Sequence, residues 1–478
     1  MKARIGLEIH VQLTEAGTKL FCDCRSDYRG LPPNTNVCPV CLGLPGALPV
    51  PGERPVKLAL AVAEALECRI PEAIVFTRKH YFYPDLPKNY QITQYEAVGG
   101  APVCLGGRLR YLDPDRWVWH ETRISRINLE EDPGRTVYSE GDILRSRYAL
   151  VDYNRSGVPL LEIVTAPDIP GPREARLMVD YLLLTLEYLG AVNPRLEGAF
   201  RVDANVSVEG GERVEVKNIG STLDLEKALN YEILRQTRIV ESGGTISRET
   251  RHWDSVKGVT KPLRHKETEE EYLYFPDPDL PPVIVTSAMR EEARRLAERR
   301  PDRVLEQVVN RGVKRQVAWS VVSSVNASQL FLEAVAQGAE PSLTARLLGI
   351  DLKGEIKEQG RDPGDPSSWP PASSIVELVR LVEAGEYPYD AIKGLVLPKL
   401  AANPRASVRE LLPEKVDDPA ALVEEVLREE WKAVEDYKAG KKQALNYLIG
   451  AAMRRARKRA IDPRRVRELL LERLREVE

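Results

Sequence analysis

The sequence predicts an α+β protein in which an antiparallel sheet comes first and helices come last. Up to about residue 285, short stretches alternate apolar and polar residues; beyond that, apolar residues recur at helical spacing. Between two of the alternating stretches, Gly210 and Gly211 mark a hairpin turn. At 478 residues the chain is too long for one core. We divide it into a sheet domain (1–287), a helical domain (288–405) and a tail domain (406–478).

The formal charge of -3 hides local asymmetry, and 29% charged residues with four Met and 35 Pro fit a heat-adapted protein. The opening MKARIGLEIH enters a strand pattern directly, and no stretch is apolar enough to span a bilayer. The expectation is a cytoplasmic protein with no membrane partner.

In the first strand, IGLEIHVQL, Leu7, Ile9, Val11 and Leu13 point one way and Glu8, His10 and Gln12 the other. A carboxylate and an imidazole two residues apart can therefore reach one point. Next come Cys22 and Cys24 in FCDCR, then Cys38 and Cys41 in VCPVC. Two close cysteine pairs across a loop suit a tetrahedral zinc ion, and four thiolates leave no open position, so the site is structural. Disulfides are the competing reading, although Cys22 and Cys24 could not pair with each other without strain. Cys68 and Cys104 read as isolated, small buried residues.

The segment RKHYFYPDLPKNYQITQY (78–95) reads either as a packed loop or as one bringing Arg78, Lys79 and Lys88 over the polar face. In SRINLEED, Ile127 and Leu129 oppose Arg126, Asn128 and Glu130. DYNRSG (152–157) leads into the strand PLLEIVT, with Asn154 and Arg155 available to read a polar substrate. FRVDANVSV sets Val202, Ala204 and Val206 against Arg201, Asp203, Asn205 and Ser207; RVEVKN follows with Arg213, Glu215 and Lys217 on the polar side. Solvated strand faces carry loose mixtures of Lys, Glu and Thr, whereas these collect metal ligands and phosphate partners. We therefore expect a curved sheet with a ligand-binding face. Its carboxylates suit Mg²⁺, and its cations suit nucleotide phosphates. Neither a P-loop nor a dinucleotide fingerprint occurs.

Helical periodicity returns in PDRVLEQVVNRGV, LTARLLGI and SIVELVRLVEAGEY, interrupted by the Pro/Ser-rich RDPGDPSSWPPASS (361–374). From about 406 a three-helix-like module follows, with Asp462 as N-cap and Pro463 at the first position of the last helix. Its basic run, Arg454, Arg455, Arg457, Lys458, Arg459, Arg464, Arg465 and Arg467, is suited to a phosphate backbone. Val466, Leu469, Leu470 and Leu474 form the stripe that docks that helix.

These segments together resemble the GatB family, the B-type subunits of the glutamyl/aspartyl-tRNA amidotransferases. The likeness is carried by GLEIHVQL, PNTNVCPVCLGLPGALPV, YFYPDLPKNYQITQY, DYNRSGVPLLEIVTAPD, RVDANVSV, EVKN, ESGGTISRETRHWD, YFPDPDLPP and DYKAGKKQALNYLIGAAM. It runs from first strand to last helix. It implies a catalytic cradle of glutamine synthetase-like fold, a helical domain and a YqeY-like tail that grips tRNA. The implied reaction is ATP-dependent amidation of mischarged Glu-tRNA(Gln) or Asp-tRNA(Asn). Ammonia would come from the A-type (glutaminase) subunit, the C-type subunit would be a further partner, and DNA is not expected. By the same resemblance, Glu8, His10 and a carboxylate of the pair Glu130 and Glu131 would hold Mg²⁺, with strand alternation favouring Glu130, and Cys22, Cys24, Cys38 and Cys41 would hold Zn²⁺. Lys79 and Asp203, with Glu130, would serve the amidation chemistry, and Arg201, Lys88 and Lys217 would bind ATP. Three departures stand out: Asn128 where the family has His before LEED, LRHKE (263–267) for MRSKE, and Gly220-Ser-Thr for Asn-Ser-Phe. The alternative reading is a zinc-stabilised tRNA-binding scaffold without catalysis.

Overall fold

A computed structural model describes residues 2–141, 146–263, 272–414, 419–456 and 459–476. The chain forms two compact units, Met1–Arg303 and Val304–Glu478.

The first unit is mixed α/β, built on an eight-stranded sheet. Its strands are β1 (Ala3–Gln12), β2 (Cys104–Asp113), β3 (Val118–Glu131), β4 (Pro159–Thr165), β5 (Phe200–Val208), β6 (Val214–Ile219), β7 (Glu249–Asp254) and β8 (Val259–Pro262), in the order β8-β7-β6-β5-β1-β4-β3-β2. Alternation along β1 holds: Leu7, Ile9 and Val11 are buried on one face and Glu8, His10 and Gln12 lie on the other. The Gly210 turn, with φ +84°, joins β5 and β6 as the expected hairpin.

The sheet departs from the antiparallel expectation at one place. β6 and β7 are parallel, because helix Thr222–Glu241 crosses over between them, and parallel neighbours require such a connection. That helix starts at Ser221, whose hydroxyl accepts from the Asp224 N–H at 3.1 Å, and it packs Leu225, Ala228 and Leu229 over β5 and β6. Helix Pro172–Tyr188 lies beside it and covers β2. Helix Glu53–Ala65 packs against helix Ser287–Ala297, where Lys57 pairs with Glu292 at 2.9 Å. The first unit therefore continues through this helix to Arg303.

Cys68 and Cys104 are not isolated. They are disulfide-bonded, with Cα atoms 5.4 Å apart, and tie the turn after helix Glu53–Ala65 to the start of β2. They are 36 positions apart in sequence, but the bridge between Arg69 and Leu105 brings their neighbours together.

The named secondary-structure elements of the second unit, among its described residues, are all helices. Helix Ala372–Glu383 follows the Pro/Ser-rich break, and two π-helical turns, Leu347–Leu352 and Ile392–Val396, interrupt the α-helices. After the short helix Val408–Leu411, the described residues of the tail module hold four helices where the periodicity predicts about three: Ala420–Glu429, Trp431–Lys438, Gln443–Ala456 and Pro463–Glu476. The backbone breaks at Glu430, splitting one helical stretch in two. Asp462 caps the last helix, accepting from the Arg464 N–H at 2.8 Å, and Val466, Leu469, Leu470 and Leu474 join the module's core. Among the described residues no helix is long and apolar enough to cross a membrane.

Candidate functional site: a carboxylate cradle and a tetracysteine clip

Register places the polar side chains of the sheet in rows. Asn128, Glu162, His10 and Arg201 stand in one row across β3, β4, β1 and β5; Glu8 and Asp203 share the next. Along these rows His10 Nε2 lies 3.6 Å from Glu8 Oε1 and 4.0 Å from Glu162 Oε1. Ligand atoms of Glu8, His10 and Glu162 all fall within 4.8 Å of one another. Glu162 was missed in the sequence; its signal is a carboxylate in the middle of an otherwise apolar strand. Glu130 lies on the same face, buried and close to Lys79 and Arg201, but it is not in that tight trio.

The carboxyls of the trio are held above their ordinary range. Burial, then the neighbouring carboxylates Glu162 and Asp203, push the Glu8 carboxyl up to about 8. Burial raises Glu130 and Glu162 as well; Lys79 and Arg201 draw Glu130 back down, and Arg126 and the amide of Asn128 do so for Glu162. Asn128 Nδ2 donates to Glu162 Oε2 at 2.6 Å, while its Oδ1 is buried without a hydrogen-bond partner among the described residues. Two carboxylates and an imidazole make a donor set suited to a hard divalent cation such as Mg²⁺.

Other expected residues distribute as follows. Asp203 accepts the Asn218 N–H at 3.0 Å and lies 3.4 Å from Lys217 Nζ, which is also 3.2 Å from Glu215. Lys79, on strand Thr77–His80, extends over the rings of Tyr272 and Tyr81 at 4.7 and 5.8 Å. Arg201 is exposed opposite His10. Lys88, expected to bind ATP, forms a buried ion pair with Glu131 through its ammonium. Arg78 likewise turns from the polar face to Asp277 and Asp279, at 3.0 and 2.7 Å. Asn154 and Arg155 hydrogen-bond to neighbouring loops. Asn154 bonds Asn36 N and Pro32 O, and Arg155 donates to the carbonyls of Pro133 and Gly134. Of LRHKE, the residues from Arg264 onward lie outside the described residues, as do Arg457 and Lys458.

Cys22, Cys24, Cys38 and Cys41 converge, their sulfurs within 4.8 Å of one another. Four sulfurs bonded to one zinc ion at about 2.3 Å would stand at closely comparable separations. The Cys38 N–H donates to Cys41 Sγ at 3.1 Å. Lys19, fully buried, donates to Asn36 O at 2.8 Å and to Cys41 Sγ at 3.5 Å. A buried ammonium against a thiolate cluster offsets the negative charge that a tetrathiolate zinc centre retains.

A sheet platform carrying an acidic cradle beside a cysteine clip defines the class to which the chain compares. Residues 3–291 match the family model described as the GatB/GatE catalytic domain, and residues 329–474 match the one described as the GatB domain. Over 471 residues, 98% of this chain and 97% of the relative, it is 66% identical to the B-type subunit of the aspartyl/glutamyl-tRNA(Asn/Gln) amidotransferase of Aeropyrum pernix. The proteins of the same name from Sulfurisphaera tokodaii and Methanospirillum hungatei are 44% and 42% identical, each over 98% of this chain and 98% and 97% of their own lengths. The chain belongs to the GatB family, the B-type subunits of the aspartyl/glutamyl-tRNA(Asn/Gln) amidotransferases.

Proposed function

We propose that this chain is the amidating subunit of a tRNA amidotransferase, a ligase acting on Glu-tRNA(Gln), Asp-tRNA(Asn) or both. The observation that carries this is the convergence of Glu8, His10 and Glu162, with Glu130 alongside, on a face flanked by Lys79, Arg201 and Lys217. A side-chain carboxylate is a poor electrophile. Phosphorylation by ATP gives it a leaving group, and ammonia can then displace phosphate.

Mg²⁺ held by Glu8, His10 and Glu162 would supply positive charge for the ATP phosphates. The chain's own residues do the rest. Arg201 and Lys79 offset charge on the phosphorylated group, and Asp203, oriented by Asn218 and Lys217, accepts a proton from ammonium. The cysteine clip holds Zn²⁺ as a structural element. The cradle is read as the glutamine synthetase-like domain, followed by a helical domain and a tail that grips tRNA. The A-type (glutaminase) and C-type subunits of the complex are the proposed partners, in the cytoplasm.

The test is Gln-tRNA formation from Glu-tRNA, ATP and free ammonium. Glu8→Gln or Asp203→Asn should abolish it while tRNA binding persists. Unchanged turnover would leave only the scaffold reading.

A further inference from the structure

Glu131 follows Glu130 on β3, and strand alternation sends the two to opposite faces. Glu131 is 4% exposed and its partner Lys88 7%. The same Glu131 Oε1 accepts the Ile92 N–H at 3.0 Å, and Gln91 Nε2 donates to the Glu131 carbonyl at 2.8 Å. The end of β3 is thereby fastened to strand Tyr90–Thr93.

Lys88 is in turn held from the clip. Gly43, two residues past Cys41, has φ +66° and lies so close to Lys88 that a Cβ there would stand 2.4 Å from its Cγ and 3.3 Å from its Cα. On the other side, a Cβ at Gly157 would lie 3.4 Å from Cys41 Cβ, 3.5 Å from Lys19 Cδ and 3.8 Å from Glu131 Oε2. Two glycines thus let the clip seat directly on the Lys88–Glu131 pair. A buried ion pair is often replaceable by apolar residues without loss of stability, so one at this junction serves placement.

We propose that Lys88 is a positioning residue coupling the tetracysteine clip to the cradle: seated under Gly43, it holds Glu131 and so fixes the end of β3, the strand from which Asn128 orients Glu162 of the trio. The inference rests on reading that cradle as a divalent-cation site, and the test separates the two. Mn²⁺ alone, titrated into the full-length zinc-bearing chain and followed by electron paramagnetic resonance, should bind in a manner abolished by Glu8→Gln. Lys88→Met should weaken that binding roughly tenfold, in the range for a residue that orients metal ligands, and Lys88→Arg should recover it to within about threefold. Gly43→Ala approaches the same contact from the clip and should reproduce the loss, with zinc content unchanged throughout. If both Lys88→Met and Gly43→Ala bind Mn²⁺ like the wild type while Glu8→Gln does not, the coupling is overturned and the cradle stands. If Glu8→Gln has no effect, the cradle reading fails and the coupling fails with it. Should Lys88→Met not fold, wild-type affinity in Gly43→Ala overturns the proposal and a loss there upholds it.

Discussion

His10 Nε2 stands 3.6 Å from Glu8 Oε1, two residues along one strand, and the third member of their group, Glu162, comes from the neighbouring strand. This predicts that Glu162, and not only the residues of the first strand, decides cation binding. Glu162→Gln keeps the shape and the contact with Asn128 but removes the charge. It should weaken Mn²⁺ binding and ammonium-supported amidation roughly 10–100-fold, the usual cost of degrading a ligand set. Wild-type Mn²⁺ affinity in this variant would remove Glu162 from the site.

The buried ammonium of Lys19 predicts how the clip would keep a zinc ion. Purified protein should carry zinc in stoichiometric amount, and Cys41→Ser should lose it. Lys19→Met keeps the side-chain volume but leaves the thiolate cluster without its buried cation. Chelator-driven release, followed with a colorimetric zinc indicator, should then be roughly tenfold faster, as for other groups that support metal ligands. An unchanged release rate would show that Lys19 only fills space.

The Cys68–Cys104 bond closes a loop with a sequence separation of 36, and constraining a loop of that size in the unfolded chain is worth about 4 kcal/mol on the chain-entropy account. Replacing both cysteines by alanine should lower the thermal midpoint of the first unit without loss of zinc. Peptide mapping without reductant should recover the linked pair. Two free thiols in protein prepared without reductant would refute the bond.

Lys353 gives the second unit a pH signature. Burial, with Lys357 adding repulsion, lowers its ammonium to about 8, and its contacts are the Ser323 hydroxyl at 3.1 Å and the Ser320 carbonyl at 3.4 Å. Between about 8 and the ordinary lysine value the unfolded chain holds more protons than the folded one, so stability rises with pH across that window. Relative to Lys353→Met, which does not titrate, the wild type should gain on the order of 2 kcal/mol between pH 7.5 and 10.5 in guanidinium unfolding. Parallel curves for the two proteins would contradict the assignment.

What could be read without coordinates follows from what is local. The polar and apolar faces of β1, the Gly210 hairpin, the cysteine clip and the cap at Asp462 each depend on residues a few positions apart, and each is present. Long-range register is different. Glu162 meets His10 because β4 pairs with β1 across about 150 residues, and no periodicity encodes that pairing. Cys68 finds Cys104 for the same reason. The Lys88–Glu131 ion pair is of the same kind, since no local pattern puts Glu131 beneath a lysine 43 positions earlier. The parallel β6–β7 pair also depends on how the chain returns after a helix.

The arginines of the tail separate into two kinds, and that separation is testable. Arg455 is engaged with Glu429 and lies 3.5 Å from Glu430, so it braces helix Gln443–Ala456 against its neighbours. Arg459, Arg464 and Arg467 are exposed, with no carboxylate partner among the described residues. Only cations free of internal partners release counterions from a phosphate backbone when they bind it. Arg464→Ala and Arg467→Ala should therefore each weaken tRNA binding and reduce the slope of log affinity against log salt by about 1, without changing thermal stability. Arg455→Ala should do the reverse, lowering the stability of the tail and leaving the salt slope near its original value. Filter-binding titrations at four or five salt concentrations, paired with thermal melts, distinguish the two. Equal slopes for wild type, Arg464→Ala and Arg467→Ala would mean that tRNA is gripped elsewhere.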